Sequence, residues 1–419
     1  MSTTATDCCA NPKEKLLSVE QGRERILQAV HTVTATEVLH LTAALGRVLA
    51  KPVVSTIDVP PFANSAMDGY AVRSQDCADS VQAELSVTGS SFAGAPFAGA
   101  VATGQCVRIM TGAVVPDGAD TIIMQEHVER NAERVTFSWK HVVAGQHVRY
   151  AGEDTRCGDT VLGSGIKLGA AETGLLASVG VSEVSVSRRL RVAFFSTGDE
   201  LASIGTPLAA GQIYDSNRYA LHGMLAKPAI EYYDLGVIPD QRAAVREAFQ
   251  QAAEVADLVL TSGGVSVGEA DYVTETLGEL GEINFWRMAM KPGKPLAFGQ
   301  LDDAVFFGLP GNPVSTMVTF YLFVLPAIRK MTGETPRDPL LVQARCAVDL
   351  KKAPGRMEFQ RGILQRGKDG SLSVSTTGMQ GSHLLTSMSR ANCFIHLPAA
   401  SAGTQAGEWV TVQPFSDFD

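Results

Sequence analysis

Five short stretches concentrate the residues that could do chemistry: "STGDEL" (Ser196–Leu201), "IPDQ" (Ile238–Gln241), "TSGGVSVGEAD" (Thr261–Asp271), "MKPGKP" (Met290–Pro295) and "GLPGNP" (Gly308–Pro313). Glycine amides at Gly263 and Gly264, hydroxyls at Ser262 and Ser266, and ammonium groups at Lys291 and Lys294 suit a phosphate or another oxyanion. Asp199, Glu200, Asp240, Glu269 and Asp271 add carboxylates, which repel such a ligand unless a hard cation intervenes. Mg²⁺ fills that role with a few carboxylates, waters and phosphate oxygens, so the set points to Mg²⁺-assisted phosphate chemistry. Each stretch also has a plain reading. "TSGGVS" can be a tight turn, Asp199 and Asp271 can be helix N-caps, Pro313 can open a helix, and "KPGKP" can be a solvated turn.

Several chemistries are disfavoured. There is no GxxxxGK[ST], GxSxG or HExxH, and the eight histidines form no pair at metal-ligand spacing. His383 reads as a surface or satisfied histidine. The seven cysteines (Cys8, Cys9, Cys77, Cys106, Cys157, Cys346, Cys393) form no CxxC pair, which disfavours zinc and a disulfide framework and fits a reducing cytoplasm. A net charge of −9 argues against nucleic acid as a general partner. "NSAMDGYAV", "RIMTGA" and "VRYAGED" are polar clusters beside glycine, ordinary loop material when taken alone.

The elements that must hold these stretches follow from hydrophobic period. With 419 residues, roughly one domain per 150 predicts two to four domains. Ser18 and Gln21 in "SVEQGRERILQAV" make a capping box before an amphipathic helix. From about Val81 to Tyr150, short alternating runs between Gly, Pro and Asp predict a β-rich unit, a small barrel or sandwich. "GAAETGLLASVG" predicts a helix within 151–188. From Leu190 strands alternate with helices: "LRVAFFSTG", "SNRYALHGMLAK", "EYYDLGVI", "DQRAAVREAFQQAAEVA", "DLVLTSGG", "DYVTETLGELG", "AVFFGLPG" and a long helix from Pro313. That rhythm predicts a mostly parallel sheet with helices on both faces. Short strands return after "MTGETPRDP", with "KDGS" (Lys368–Ser371) as a hairpin turn. The apolar run between Pro313 and Pro326 is short for a bilayer and reads as a buried core helix, and "MSTTATDCCANPKEK" lacks the apolar core of a signal peptide. A soluble protein is expected. In open α/β sheets, ligands bind beyond the carboxyl ends of the strands, so the five stretches are expected on one edge.

In order from residue 60 to 362, "PPFANSAMDGYAV", "RIMTGAVVPDGAD", "RYAGED", "STGDEL", "TSGGVSVGEADY", "KPGKP", "GLPGNPVS" and "PGRMEFQRG" resemble the motifs of the molybdopterin molybdenumtransferases. Those enzymes insert molybdenum into a pterin cofactor, and the gephyrin E domain is a relative. The resemblance spans essentially the whole chain and implies a multidomain α/β plus β protein. An elongated N-terminal domain (1–55 and 151–188) is interrupted by a β-rich inserted domain (56–150). A central three-layer α/β domain with a mostly parallel sheet (189–333) and a C-terminal β-barrel (334–419) follow. It also implies a homodimer with its cleft between subunits, and partners among the molybdopterin adenylyltransferase and downstream cofactor-processing proteins. The implied reaction uses Mg²⁺, molybdate and adenylated molybdopterin, and releases AMP.

By motif match, Glu200, Asp240 and Asp271 hold the cation or activate water, while Gly263, Gly264, Ser266, Lys291 and Lys294 contact the phosphate or adenylate. Asp68, Thr111, Arg149 and Asp154 come from the opposite subunit, and Arg361 and Ser382 close the site from the C-terminal domain. Two positions depart from the pattern: Ala63 where relatives commonly carry Asp, and Arg287 where some carry Lys. Arg keeps the charge but changes the contact geometry. Two rival readings remain. A pterin adenylyltransferase using ATP would not need the inserted and C-terminal domains, and a non-catalytic scaffold would not need Asp68, Asp240, Asp271 and Lys291 together.

Overall fold

Ser18 opens the helix Val19–Ala29 as its capping box requires. Its hydroxyl accepts from the Gln21 amide and the Gln21 side chain accepts from the Ser18 amide, both at 3.1 Å. The computed structural model describes residues 16–77, 82–138, 143–263 and 272–418. Val19, Gly22 and Ile26 form the buried stripe of this first helix. Val19 and Ile26 belong to one core with Val192, Phe194 and Phe323, and this helix packs on the helical segments Phe320–Val324 and Leu325–Met331 far along the chain. Residues 36–54 and 160–187 make a separate unit. Thr36–His40 pairs with Glu183–Ser187, Val53–Val54 pairs with Thr160–Leu162, and Leu49, Leu176 and Val186 fill the core.

Between these halves lies the β-rich unit. Its strands run in the order Thr121–Met124, Gly69–Val72, Gln105–Ile109, Gln82–Ser91, Arg134–Ser138, Val128–Asn131. Among the described residues the pairings leave this six-stranded sheet open, so the barrel expected as one option does not close here. Tyr70, Leu85, Cys106, Val135 and Phe137 supply one apolar face.

The α/β sheet has the order Ile230–Ile238, Leu190–Thr197, Leu258–Ser262, Ala304–Leu309, Pro295–Leu301, Gly281–Arg287. The first four strands are parallel, Pro295–Leu301 runs against them, and Gly281–Arg287, antiparallel to Pro295–Leu301, runs with them again. Alternate residues of a strand face opposite sides. Phe194, Leu260 and Phe307 therefore join one core with the helices Ser216–Leu225 and Pro313–Thr319, while Phe195, Val259 and Phe306 join another with Arg242–Val255 and Tyr272–Leu280. Both faces are apolar, as a parallel sheet demands. The segment Pro313–Met331 is long and apolar enough for a membrane span by composition, but 67% of it is buried inside the protein. It is the core helix that the sequence predicts.

The last domain closes on itself. Met357–Arg366, Leu372–Thr376, Val342–Cys346, Trp409–Pro414 and Cys393–Leu397 pair in a ring, since Cys393–Leu397 also pairs with Met357–Arg366. The "KDGS" turn joins two of these strands, with Gly370 at φ 84° and the Asp369 carboxylate accepting from the Ser371 amide. At the junction with the α/β domain, Tyr321 stacks on Phe418 with centroids 4.4 Å apart, and Phe394 meets Phe415 at 4.7 Å. Arg329 and Arg337 both donate to the Asp417 carbonyl, pinning the final turn. Phe394 is fully buried at this junction. Phe394→Ala is therefore expected to lower stability by about 3–5 kcal/mol, read as a shift in the urea midpoint. An unchanged midpoint would mean that the aromatic junction does not hold the barrel in place.

Candidate functional site

Strand register settles where the five stretches lie. Thr197 pairs with Ile238, Ser196 with Ser262, and Ser262 with Leu309. Gly308 pairs with Ala297, and Pro295 with Arg287. The loops after 197, 238, 262 and 309, and the loop between 287 and 295, therefore all emerge at one edge. Gly263 has φ 91°, and a Cβ there would sit 2.9 Å from the Thr197 carbonyl, so only glycine fits this crossing. Its amide donates to the Leu309 carbonyl at 3.1 Å. Gly264, Ser266, Glu269 and Asp271 lie outside the described residues. Asn217, which sequence reasoning missed, clamps the middle of the edge. Its amide nitrogen donates to Ser262 Oγ and to the Gly311 carbonyl, both at 2.7 Å, while its buried Oδ1 has no hydrogen-bond partner among the described residues. No motif marks this helix residue, because its partners lie 45 and 94 residues away.

One end of the edge is acidic. The Asp240 amide donates to Asp199 Oδ1 at 3.1 Å, so two of the stretches touch. Burial raises the pKa of the Asp240 carboxyl, and the charges of Asp199 and Glu200 raise it further. Glu200 folds its carboxylate over Gly198, where a side chain would collide with it. Among the described residues, no three His, Cys, Asp or Glu side chains gather closely enough to hold a metal. The mutual repulsion at Asp240 is nevertheless what a hard cation relieves. Mg²⁺ needs only one or two carboxylates besides water and phosphate oxygens, so Glu200 and Asp240 fit it chemically.

The other end is basic. A cavity of about 570 Å³ opens between the 290–294 loop and the barrel, and Lys291, Lys294, Arg356, Ser315, Gln380, Ser382 and His383 help to line it. Lys291 Nζ lies 3.3 Å from Glu358 Oε1. The Ser382 carbonyl accepts from the Val314 amide at 3.1 Å, stitching the barrel loop to the start of the Pro313 helix. Arg361 is placed otherwise than expected for a ligand contact. It is 1% exposed. Its Nε donates to Ser387 Oγ at 3.0 Å and its guanidinium to the Gly381 carbonyl at 3.1 Å, so it braces the loop that carries Ser382. Burial pushes its pKa down to about 10, against the opposing pull of Glu358. The arginine in the cavity wall is Arg356, five residues earlier in the same "PGRMEFQRG" motif.

A second cluster forms in and beside the inserted sheet. Asn64–Ser65 pairs with Val148–Arg149, the Gly112 amide donates to the Ser65 carbonyl, and the Asp154 amide donates to the Val59 carbonyl. Backbone bonds thus gather the segments of Asp68, Thr111, Arg149 and Asp154. Asp68 Oδ1 accepts from the Thr111 amide at 2.7 Å and from its hydroxyl at 2.8 Å. Those two bonds hold the Asp68 carboxyl below the usual range, with a smaller contribution from the Arg108 charge. Ala63 presents no carboxylate, and its carbonyl accepts from the Val115 amide. Arg287 ends the outermost strand of the α/β sheet. Among the described residues, no hydrogen bond or ion pair links Asp68, Thr111, Arg149 or Asp154 to Glu200, Asp240 or Lys291 of the same chain.

Comparison with known proteins agrees with this layout. Residues 17–180 match "MoeA N-terminal region (domain I and II)", 193–330 match "Probable molybdopterin binding domain", and 343–415 match "MoeA C-terminal region (domain IV)". The molybdopterin molybdenumtransferase of Haemophilus influenzae is 47% identical over 403 residues, 96% of this chain and 99% of that protein. Gephyrin of Dictyostelium discoideum is 32% identical over 89% of this chain and 58% of its own length. The crystal structure of the molybdopterin biosynthesis moeA protein from Pyrococcus horikoshii OT3 superposes with a TM-score of 0.83 at 30% identity, covering 96% of this chain and 100% of that one. The chain belongs to the molybdopterin molybdenumtransferases, enzymes of molybdenum cofactor biosynthesis.

Proposed function

We propose that this transferase loads molybdenum from molybdate onto adenylated molybdopterin with Mg²⁺ and releases AMP. We further propose that it works in the cytoplasm as a homodimer, with the adenylyltransferase and downstream cofactor-processing proteins as partners. One observation carries the reading: a single sheet edge runs from the carboxylates Asp199, Glu200 and Asp240, through Gly263 and Gly311, to the basic cavity of Lys291, Lys294 and Arg356. A ligand joining a phosphoanhydride to a site of oxyanion delivery needs both ends.

At the basic end, Lys291, Lys294 and Arg356, with the hydroxyls of Ser315 and Ser382, would hold molybdate by charge-assisted hydrogen bonds. In the middle, Gly263 lets the backbone approach the adenylate, with Gly264 and Ser266 continuing that loop. At the acidic end, Glu200 and Asp240, with Asp271 beyond the described residues, would hold Mg²⁺, whose charge when bound neutralises phosphate oxygens. A carboxylate of this end that is left off the cation would take a proton from the attacking water. The Asp68 cluster, unconnected to the edge within its own chain, would complete the cleft from a second copy.

Purified protein given adenylated molybdopterin, Mg²⁺ and molybdate is expected to release AMP and form active cofactor. Adenylation of free pterin from ATP, or no hydrolysis, would overturn the reading.

The shifted carboxyl also gives a signed prediction. A carboxylate whose folded pKa lies above its unfolded one costs stability when ionised, and the cost vanishes as pH falls through the raised value. Asp240→Asn should melt no lower than the parent at pH 7 while losing turnover by about a hundredfold. A variant that melts lower, or turns over normally, contradicts this role.

For the shared cleft, inactive Asp68→Ala and Asp240→Asn chains unfolded and refolded together should regain roughly a quarter of parental activity, since half the dimers then carry one intact cleft. No regain on mixing would place both residues in one subunit's site.

A further inference from the structure

The ion pair beside the basic cavity has unlike ends. The side chain of Glu358 is 8% exposed and that of Lys291 is 54% exposed. A buried carboxylate needs a counter-charge, and a long lysine chain loses rotamer freedom when held. The glutamate is thus fixed by the barrel, and the lysine is the group being held. The backbone reinforces the contact: Met290–Lys291 runs parallel beside Met357–Glu358, and the Met357 amide donates to the Ala289 carbonyl at 2.9 Å. Lys291 lines the cavity and Glu358 does not, so the carboxylate reaches a ligand through the lysine. An ammonium has three donors, so its ion pair with Glu358 leaves donors for an oxyanion. Arg361, on the same strand, feels the charge of Glu358, which pulls its pKa up against the effect of burial.

We propose that Glu358 is a positioning residue for the transferase, a buried barrel carboxylate that fixes the Lys291 ammonium in the wall of the oxyanion cavity. The inference rests on the cavity holding molybdate, as argued above. It makes the wall depend on the barrel being seated on the α/β domain, because neither domain alone carries both groups.

The sign of the effect separates positioning from bulk charge. Removing a negative charge beside an anion site would by itself tighten anion binding. Calorimetric titration of molybdate into the full-length protein at constant ionic strength is the test. Lys291→Ala and Glu358→Gln are each expected to weaken binding about tenfold, and the double variant should bind no more weakly than Lys291→Ala alone. Glu358→Gln binding as well as or better than the parent, or losses that multiply in the double variant, would overturn the proposal. Glu358→Asp, which keeps the charge, must bind molybdate more tightly than Glu358→Gln; equal or weaker binding counts against positioning. Melting curves on every variant keep loss of fold apart from loss of binding. A parent that does not bind molybdate, or a Lys291→Ala variant that binds normally, refutes the cavity assignment itself and this inference with it. A Lys291→Ala defect without a Glu358→Gln defect refutes only the role of Glu358.

Discussion

The whole site depends on the register of one sheet. Thr197, Ile238, Ser262 and Leu309 end at a common level because Leu190–Thr197, Ile230–Ile238, Leu258–Ser262 and Ala304–Leu309 are parallel and in step. That step is held by residues that never meet a ligand. Sliding one strand by a residue would swap Phe194 with Phe195, or Phe306 with Phe307, between two different cores. Both cores are apolar, but their shapes differ, and close-packed interiors do not tolerate such exchanges. The packing of buried phenylalanines therefore fixes where each polar loop leaves the sheet.

Strand order then sorts the charges. Among the described residues, the two strands followed by carboxylates, Ile230–Ile238 and Leu190–Thr197, sit at one side of the sheet, and the pair flanking Lys291 and Lys294 sits at the other. Glycine loops occupy the centre. Had the lysine loop followed a neighbour of Leu190–Thr197, it would have paired with Asp199 or Asp240 and cancelled the field of both. Separation across the sheet leaves Asp240, whose pKa burial raises, to be raised further by Asp199 and Glu200, and leaves Lys294 and Arg356 facing the cavity. Among the described residues Lys291, unlike Lys294 and Arg356, has a counter-ion, and it comes from another domain.

What the sequence makes legible is what local physics determines. The capping box at Ser18, the strand–helix alternation after Leu190, the "KDGS" hairpin and the buried helix from Pro313 all follow from period and turn chemistry. The common edge was legible too, because parallel strands force it once their alternation with helices is seen. Long-range choices were not. Nothing near Val19 or Ile26 says that their helix packs on residues 320–331. Arg356 and Arg361 are equally basic in one motif, and only closure of the barrel decides that the second is buried against Ser387 while the first reaches the cavity. Asn217 acts across such separations that no local pattern could reveal it.

The cluster around Asp68 answers a different constraint. Its segments are joined by main-chain bonds, from Ser65 to Ala113 and Gly112, from Asn64 to Arg149, and from Val59 to Asp154. Asp68 takes its stabilising donors from Thr111, an amide and a hydroxyl that come with the fold. A carboxylate satisfied in this way needs no cation from elsewhere to stay ionised, so it can stand at a surface without collapsing onto the nearest lysine. The acidic end of the sheet edge is the opposite case, where Asp240 is left with repulsion and takes a proton more readily. The protein thus presents two kinds of carboxylate: one whose pKa the Thr111 amide and hydroxyl lower, and one whose pKa burial and the neighbouring carboxylates raise.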